Sequence, residues 1–356
     1  MNGSGWRIVL AVTFADLRFR ARQFAIAIIG VGLVLSMALL LTGLAAGFRA
    51  EVADTVDGVG AHTWVLSKTA QGRITAFAAF SDLQALAIQN ESSADHAAPL
   101  LVAPFQVAHG DNKTLTVNLV GVAIGRLGDP QVTSGHRLSG PDDVVVNATL
   151  KLANGSIVAI GGKTFHVVGQ VTHRTLVGGG PLMYMPLLSA QEVVTSGQPL
   201  ITAVVTSGTP ARIPGGLVAL SPNQVINDTV GQLSTAISSI ESTRWLMWTV
   251  AAAIVASLLY VAALERRRDF AVLKALGSSS RALFLSLVME AVVVTLMATV
   301  LAELVVNLLV PFFSQPVDIT FTAYATLPAI AVVVGVLASV SALRRVTGAD
   351  PAAAFG

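Results

Sequence analysis

Apolar residues along this chain run in four long blocks rather than in the short amphipathic segments of a soluble core. Gln23 to Phe48, Trp245 to Leu264 and Ile319 to Leu343 contain no charge, and Ala282 to Val317 carries only Glu290 and Glu303. A helix needs roughly 20 apolar residues to cross about 30 Å of hydrocarbon at about 1.5 Å per residue. Each block reaches that length, whereas about 10–14 apolar residues would suit a buried core helix. The pattern predicts a membrane α-helical protein with four transmembrane helices, over residues 23–48, 241–264, 282–310 and 321–343. Arg18, Arg20 and Arg22 precede the first block as they would a signal peptide. Its length exceeds the about 7–15 residues of a signal core, so it is expected to be a retained anchor.

Residues 49–240 read differently. Most glycines and prolines and all six histidines lie there, and β-branched runs alternate with turn signals. Phe77 to Ile88 is expected to be a short helix, and Thr114 to Val122 and Asp142 to Asn147 to be strands. Ser156 to Val171 places two β-branched runs around Gly161-Gly162, the signature of a hairpin with a tight turn. Pro186 to Thr195 reads as a helix with Ser189 as a plausible cap. Pro222 to Leu246 reads as a helix running on into the second span. The result is a large extracytoplasmic α+β domain between helices 1 and 2. At the N-terminus, Trp6, Val9, Leu10, Thr13, Phe14 and Leu17 recur at helical spacing, so residues 1–22 are expected to form an amphipathic helix in the membrane interface.

Charge sets the orientation. Arg7, Arg18, Arg20 and Arg22 precede span one; Arg266, Arg267, Arg268, Lys274 and Arg281 separate spans two and three; Arg344 and Arg345 follow span four. The short loop 311–320 between spans three and four has no basic residue. Positive residues collect on the cytoplasmic side. Both termini, the tail 344–356 and the bridge 265–281 are therefore expected in the cytoplasm, with the chain multi-pass in the plasma membrane; the Ala/Val-rich, cysteine-free composition suggests a bacterial cell. A net charge of +2, with basic residues at block ends, leaves nucleic-acid binding nothing to rest on. The absence of cysteine excludes disulfides and thiolate chemistry.

Only 12% of residues are charged, yet five stand consecutively from Glu265 to Asp269. In the segment that follows, Phe270, Val272, Leu273 and Leu276 form one apolar face at helical spacing, with Arg267, Arg268 and Lys274 around it. Periodicity leaves two readings open: a loop whose arginines only enforce topology, or a small helix that fills a partner's groove. Within span three, Glu290, Glu303 and Asn307 are intramembrane polar residues and so functional candidates. A proton relay is one reading. The other pairs Glu290 with a basic residue near the cytoplasmic face and puts Glu303 near the outer interface. Both require the carboxylates to face protein rather than lipid. Gly30, Gly32, Ser36 and Gly43 in span one suit a tightly packed helix interface. No histidine cluster has the spacing of a zinc site. Gly162-Lys163-Thr164 imitates the end of a phosphate-binding loop, but Ile157 stands where the first glycine is required. It reads as a hairpin turn.

Three stretches resemble the FtsX/MacB-type ABC transporter permeases, the mechanotransmission or type VII class. E-R-R-R-D-F-A-V-L-K-A-L-G-S-S-S from Glu265, running on to Glu290, is similar to the family's cytoplasmic signature. I-G-G-K-T-F-H-V-V-G-Q-V followed by M-Y-M-P-L-L-S-A-Q-E-V-V resembles the end of its extracytoplasmic core domain. L-R-R-V-T-G-A-D-P-A-A-A-F from Leu343 resembles its C-terminal tail. The chain departs from the pattern at Asp269, where glutamate is usual, and at Thr295, Ala298, Thr299 and Ala302, where the family favours glycines.

The resemblance implies that Glu265, Arg267, Arg268, Asp269, Phe270, Leu273, Lys274, Leu276 and Gly277 contact an ATPase. It implies a complex of two ATPase subunits with this chain and a second copy or paralogue, and a possible periplasmic adaptor or substrate protein. ATP and Mg would sit on the partner ATPase, with no cofactor on this chain. Gly30, Gly32, Ser36, Gly43, Ala298 and Ala302 would serve dimer or helix packing. The expected role is a permease subunit, not itself an enzyme, that couples ATP hydrolysis to movement of the outer domain for export of an amphiphilic substrate. The alternative is an FtsX-like regulator that activates a cell-wall hydrolase; the size of the outer domain favours the transporter branch.

Overall fold

The computed structural model describes residues 21–91, 97–108, 114–172, 175–176, 180–265, 280–313 and 317–347. Helix α1 (Ala21–Asp57) is followed by β1 (Thr63–Ser67), β2 (Phe80–Ser81), α2 (Asp82–Glu91), β3 (Ala97–Ala108) and β4 (Thr114–Val122). Next come β5 (Ser134–Gly135), β6 (Asp143–Asn147), β7 (Ile157–Ile160), β8 (Lys163–Val171), β9 (Thr175–Leu176) and β10 (Gly180–Pro186). Helix α3 (Leu187–Thr195), β11 (Leu200–Ile201), β12 (Ala203–Thr206), β13 (Leu217–Leu220) and α4 (Pro222–Gly231) complete the strand-rich region. Three long helices close the chain: α5 (Ser234–Glu265), α6 (Ser280–Leu309) and α7 (Phe321–Thr347). The chain separates into two compact units, Gly47–Thr235 on the one hand and Met1–Ala46 with Ala236–Gly356 on the other.

The strand-rich unit is α+β. Its main sheet runs β13-β1-β12-β3-β4-β10-β6-β8-β5, with β7 paired to β8 and β9 to β10, while β2 and β11 make a small separate pair. Most neighbours are antiparallel, but β4 runs parallel to β10 and β6 parallel to β8. Two hydrophobic cores lie on this sheet. One gathers Leu101, Val117, Leu119, Ile160, Phe165, Val167 and Met183, with Ala190 of α3 closing over it. The other gathers Val65, Phe80, Ile201, Val204 and Leu217 under Ala85 and Ile88 of α2. β7 and β8 alternate buried and exposed positions, which is why the sequence shows their period so clearly. Gly161 and Gly162 join them with φ of 59° and 80°, the doubly left-handed turn of a tight hairpin. The Gly162-Lys163-Thr164 resemblance to a phosphate loop is this hairpin turn, and Lys163 forms an exposed ion pair with Glu192.

Three expectations are corrected here. The helix sought at Phe77–Ile88 begins only at Asp82, because Ser81 accepts a hydrogen bond from the Leu83 N–H and Phe80–Ser81 pair as a strand with β11. Ser189 does not cap α3: Pro186 occupies the cap position, and the Ser189 hydroxyl donates to the Pro141 carbonyl at 2.5 Å. The run from Pro222 to Leu246 is two helices. α4 starts on a Ser221/Gln224 capping box with Pro222 in its first turn, and the chain then tightens through Gln232→Thr229 and Leu233→Val230 bonds before α5 begins.

The second unit is a helical bundle in which small residues make up much of the core. Its buried centre holds Ala251, Ala291, Ala298, Ala302 and Ala331 beside Val31, Leu35, Leu39 and Leu327. Its exposed positions are large and apolar, among them Ile26, Leu33, Met37, Val300, Leu304, Leu308, Val333 and Leu337. Among the described residues, Ala21–Asp57 and Val288–Phe312 are long and apolar enough to cross a membrane, and Phe321–Leu337 is a shorter apolar helical stretch.

Candidate functional site

The charged bridge 265–281 frames one candidate. Glu265 is the last residue of α5 and Ser280 the first of α6. Arg267, Arg268, Asp269, Phe270, Leu273, Lys274, Leu276 and Gly277 lie outside the described residues, as do residues 1–20 of the expected interfacial helix and 348–356 of the tail. The two helices that the bridge must connect are thus 32 and 30 residues long.

Inside the bundle, most of the small residues singled out in sequence are used within this chain. A Cβ on Gly32 would lie 2.9 Å from Leu301 Cδ2 and 3.2 Å from the Ala298 carbonyl, so α1 and α6 meet there backbone to backbone. A Cβ on Gly43 would fall 2.6 Å from Ile319 Cγ1, and the Gly43 carbonyl accepts the Asp318 N–H at 3.0 Å. This contact fastens the approach to α7 against α1. Ser36 is buried and returns its hydroxyl to the Leu33 carbonyl at 2.7 Å. Ala298 and Ala302 are fully buried in the same seam. Gly30 behaves differently: nothing lies within 4 Å of its missing side chain. It sits in the exposed stripe Ile26, Ile29, Leu33, Met37, beside a groove of about 420 Å³ between α1 and α5.

The polar residues of α6 divide by depth. Glu290 is completely buried. Next along the buried face, Thr295 and Thr299 donate their hydroxyls to the carbonyls of Ala291 and Thr295, at 2.8 and 2.9 Å. A hydroxyl returned to its own helix is satisfied without water and leaves a small apolar surface for a neighbour. Gly335 of α7 takes advantage, since its missing Cβ would stand 3.2 Å from Thr295. Glu303 is half-buried and Asn307 exposed. Asn307 donates to the Glu303 backbone carbonyl at 2.9 Å, not to its carboxylate, and accepts the Tyr324 hydroxyl at 3.0 Å.

Tyr324 and Gly335 are contributors that sequence reasoning passed over. The available signal was a tyrosine, one of three in the chain, in the first turn after a short loop. α6 and α7 are therefore held by a hydrogen bond at one end and by close backbone approach farther along.

A helical bundle with small residues at its closest helix contacts and large apolar side chains exposed, joined in sequence to an α+β domain after its first helix, is the arrangement expected of a membrane protein. Residues 24–214 match the MacB-like periplasmic core domain and residues 244–351 the FtsX-like permease C-terminal domain. An uncharacterized ABC transporter permease of Mycobacterium tuberculosis is 36% identical over 348 residues, covering 98% of this chain and 99% of that one. A second such permease from the same species is 35% identical over the same length and shares. A putative hemin transport system permease of Staphylococcus epidermidis is 18% identical over 97% of this chain and 99% of its own. Among solved structures, the periplasmic region of MacB from Actinobacillus actinomycetemcomitans overlaps 49% of this chain and 95% of its own, at 13% identity and a TM-score of 0.34. The chain belongs to the FtsX/MacB-type ABC transporter permeases.

Proposed function

We propose that this permease subunit converts ATP hydrolysis by a separate cytoplasmic ATPase into movement of its α+β domain, and that the movement expels an amphiphilic substrate. In this reading α1, α5, α6 and α7 each cross the membrane. Both termini and the bridge between α5 and α6 lie in the cytoplasm, and Gly47–Thr235 lies outside. Two ATPase subunits serve a pair of permease chains. The Gly30 stripe of α1 is the face offered to a second copy, because Gly32, Ser36 and Gly43, the other small residues singled out on that helix, are already occupied within the chain.

The observation that carries the proposal is the continuity of α1. This single helix of 37 residues runs about 55 Å at about 1.5 Å per residue. Its last turns are part of the α+β unit, where Val52 and Val56 are fully buried and the Thr55 hydroxyl donates to the Thr175 carbonyl at 2.8 Å. An uninterrupted helix anchored in a core passes displacement along its length, where a flexible linker would absorb it. One relative carries hemin transport in its name, and hemin is an amphiphile, in keeping with this class of cargo.

Co-purification with an ATPase is the decisive measurement, followed by ATPase assays on the complex. Replacing Leu273 and Leu276 together with glutamate is expected to abolish stimulation of hydrolysis while membrane insertion persists. Stimulation at the unmodified level would remove the coupling role from the bridge.

A further inference from the structure

The bundle contains a second groove, of about 560 Å³, framed by α1, α5 and α7. It is not needed for ATPase coupling or for the Gly30 face. Its lining changes character from one end to the other. At one end stand Arg244, Trp245, Trp248 and Thr326; toward the other, Ile330, Val333 and Leu337 are aliphatic. From Ala323 to Leu337 the groove follows α7 for fourteen residues, about 21 Å at about 1.5 Å per residue. One leaflet contributes about half of a 30 Å hydrocarbon core. The groove is therefore long enough for an extended acyl chain of one leaflet and has polar groups only where a headgroup would begin.

We propose that this groove binds a membrane glycerophospholipid, with one acyl chain along Ile330, Val333 and Leu337 and its phosphate on Arg244. The charge pattern argues for a phospholipid over a second copy of this chain. Arg244 is ion-paired with Glu241, but a guanidinium carries five N–H donors, so one carboxylate leaves capacity for a phosphate oxygen. The pair also presents a positive and a negative group side by side, which suits a zwitterionic phosphate–amine headgroup. Tryptophans at headgroup depth hold such an arrangement in register with the interface. A helix from a second copy would instead need an unbroken seam of small residues, and here Ala323, Thr326 and Ala329 are interrupted by Trp245, Trp248, Ile330 and Arg244. The proposal rests on the membrane reading of the bundle but not on ATPase coupling, so the two fail separately.

The test uses the full chain in nanodiscs of phosphatidylethanolamine doped with a phosphatidylethanolamine bearing a photoreactive acyl chain, with labelled peptides identified by mass spectrometry. Labelling is expected to concentrate on Trp245–Trp248 and on Ala323–Leu337, above the exposed α6 positions Leu304 and Leu308. Arg244→Gln is expected to lower groove labelling roughly tenfold, the scale of a lost hydrogen bond to a charged group, with Arg244→Lys retaining part of it. Ile330→Trp, which fills the groove from its exposed side, is expected to abolish groove labelling while the α6 level stays constant. Equal labelling of groove and α6 face, or no response to Arg244→Gln and Ile330→Trp, would reduce the groove to ordinary annular lipid and overturn the proposal. Cross-links from the groove to a second copy in place of lipid would overturn it as well.

Discussion

The two units of this chain solve the packing problem in opposite senses. In the α+β unit the buried side chains are large, with Trp64, Phe165, Leu119, Ile160 and Met183 fully enclosed. Water drives that burial, at about 25 cal/mol per Å² of apolar surface removed. In the bundle, alanine, glycine and back-bonded threonine share the enclosed positions with a few leucines and valines such as Val31, Leu35, Leu39 and Leu327, while other large apolar side chains, among them Ile26, Leu33, Met37, Val300 and Leu304, stay exposed. Between helices in lipid there is no gain from hiding leucine, because lipid tails are as apolar as leucine itself. Association there comes from close backbone approach and a few hydrogen bonds. Within one polypeptide, small residues thus carry the closest helix contacts of one unit, while large apolar side chains are enclosed in one and in part left exposed in the other.

The contrast can be broken most sharply in the α+β core. Phe165→Ala is expected to cost about 3–5 kcal/mol there, read as a large rise in protease susceptibility of Gly47–Thr235 in the full chain; resistance like that of the parent would mean Phe165 is not a core residue. In the bundle the damaging change is the reverse one. Gly32→Leu forces a side chain into Leu301 and the Ala298 carbonyl, and such overpacking costs about 1–3 kcal/mol. Thermal unfolding in detergent should show it, while Gly30→Leu, which meets nothing inside the chain, leaves the monomer as stable as before and lowers only the yield of paired chains. Identical effects from the two glycines would erase the distinction between the occupied face and the offered one.

Smaller effects sharpen the comparison. Tyr324→Phe removes the bond to Asn307 and is expected to cost about 0.6 kcal/mol, the usual scale between membrane helices; a double-mutant cycle with Asn307→Ala isolates that coupling. In the α+β unit, burial raises the pKa of Asp143, but donation by the Gly140 and Ser139 N–H groups and the Ser139 hydroxyl, with the nearby His136 charge, outweighs burial and leaves it below the ordinary value. A depressed carboxylate stabilises the fold above its unfolded pKa of about 3.9 and loses that contribution as pH falls through the folded value. The stability gap between the parent chain and Asp143→Asn is therefore expected to narrow below about pH 4. A gap that ignores pH would show that the carboxylate's charge is not what holds this turn.

The β7–β8 hairpin was legible in advance because alternation and Gly161-Gly162 act locally. The α2 boundary was not, since it depends on Phe80–Ser81 pairing with residues 120 positions away. Likewise Ser189 has the composition of a cap but finds a better acceptor in Pro141, a contact no local window contains. For the candidate sites, the sequence marked Glu290, Glu303 and Asn307 because polar atoms are costly in hydrocarbon. It could not pair Asn307 with Tyr324, which comes from the next helix.

What the sequence determined alone were the properties carried by runs of residues: four apolar blocks, a charged bridge, and an α+β insertion with its clearest hairpin. Those follow from solvent preference and backbone propensity, which act over a few neighbouring positions. Tertiary structure decided which small residues are already in use. Gly32 and Gly30 are two positions apart and chemically identical, yet one is pressed against α6 and the other is open. Successive helix positions differ by about 100°, so only the placement of the neighbouring helices distinguishes them.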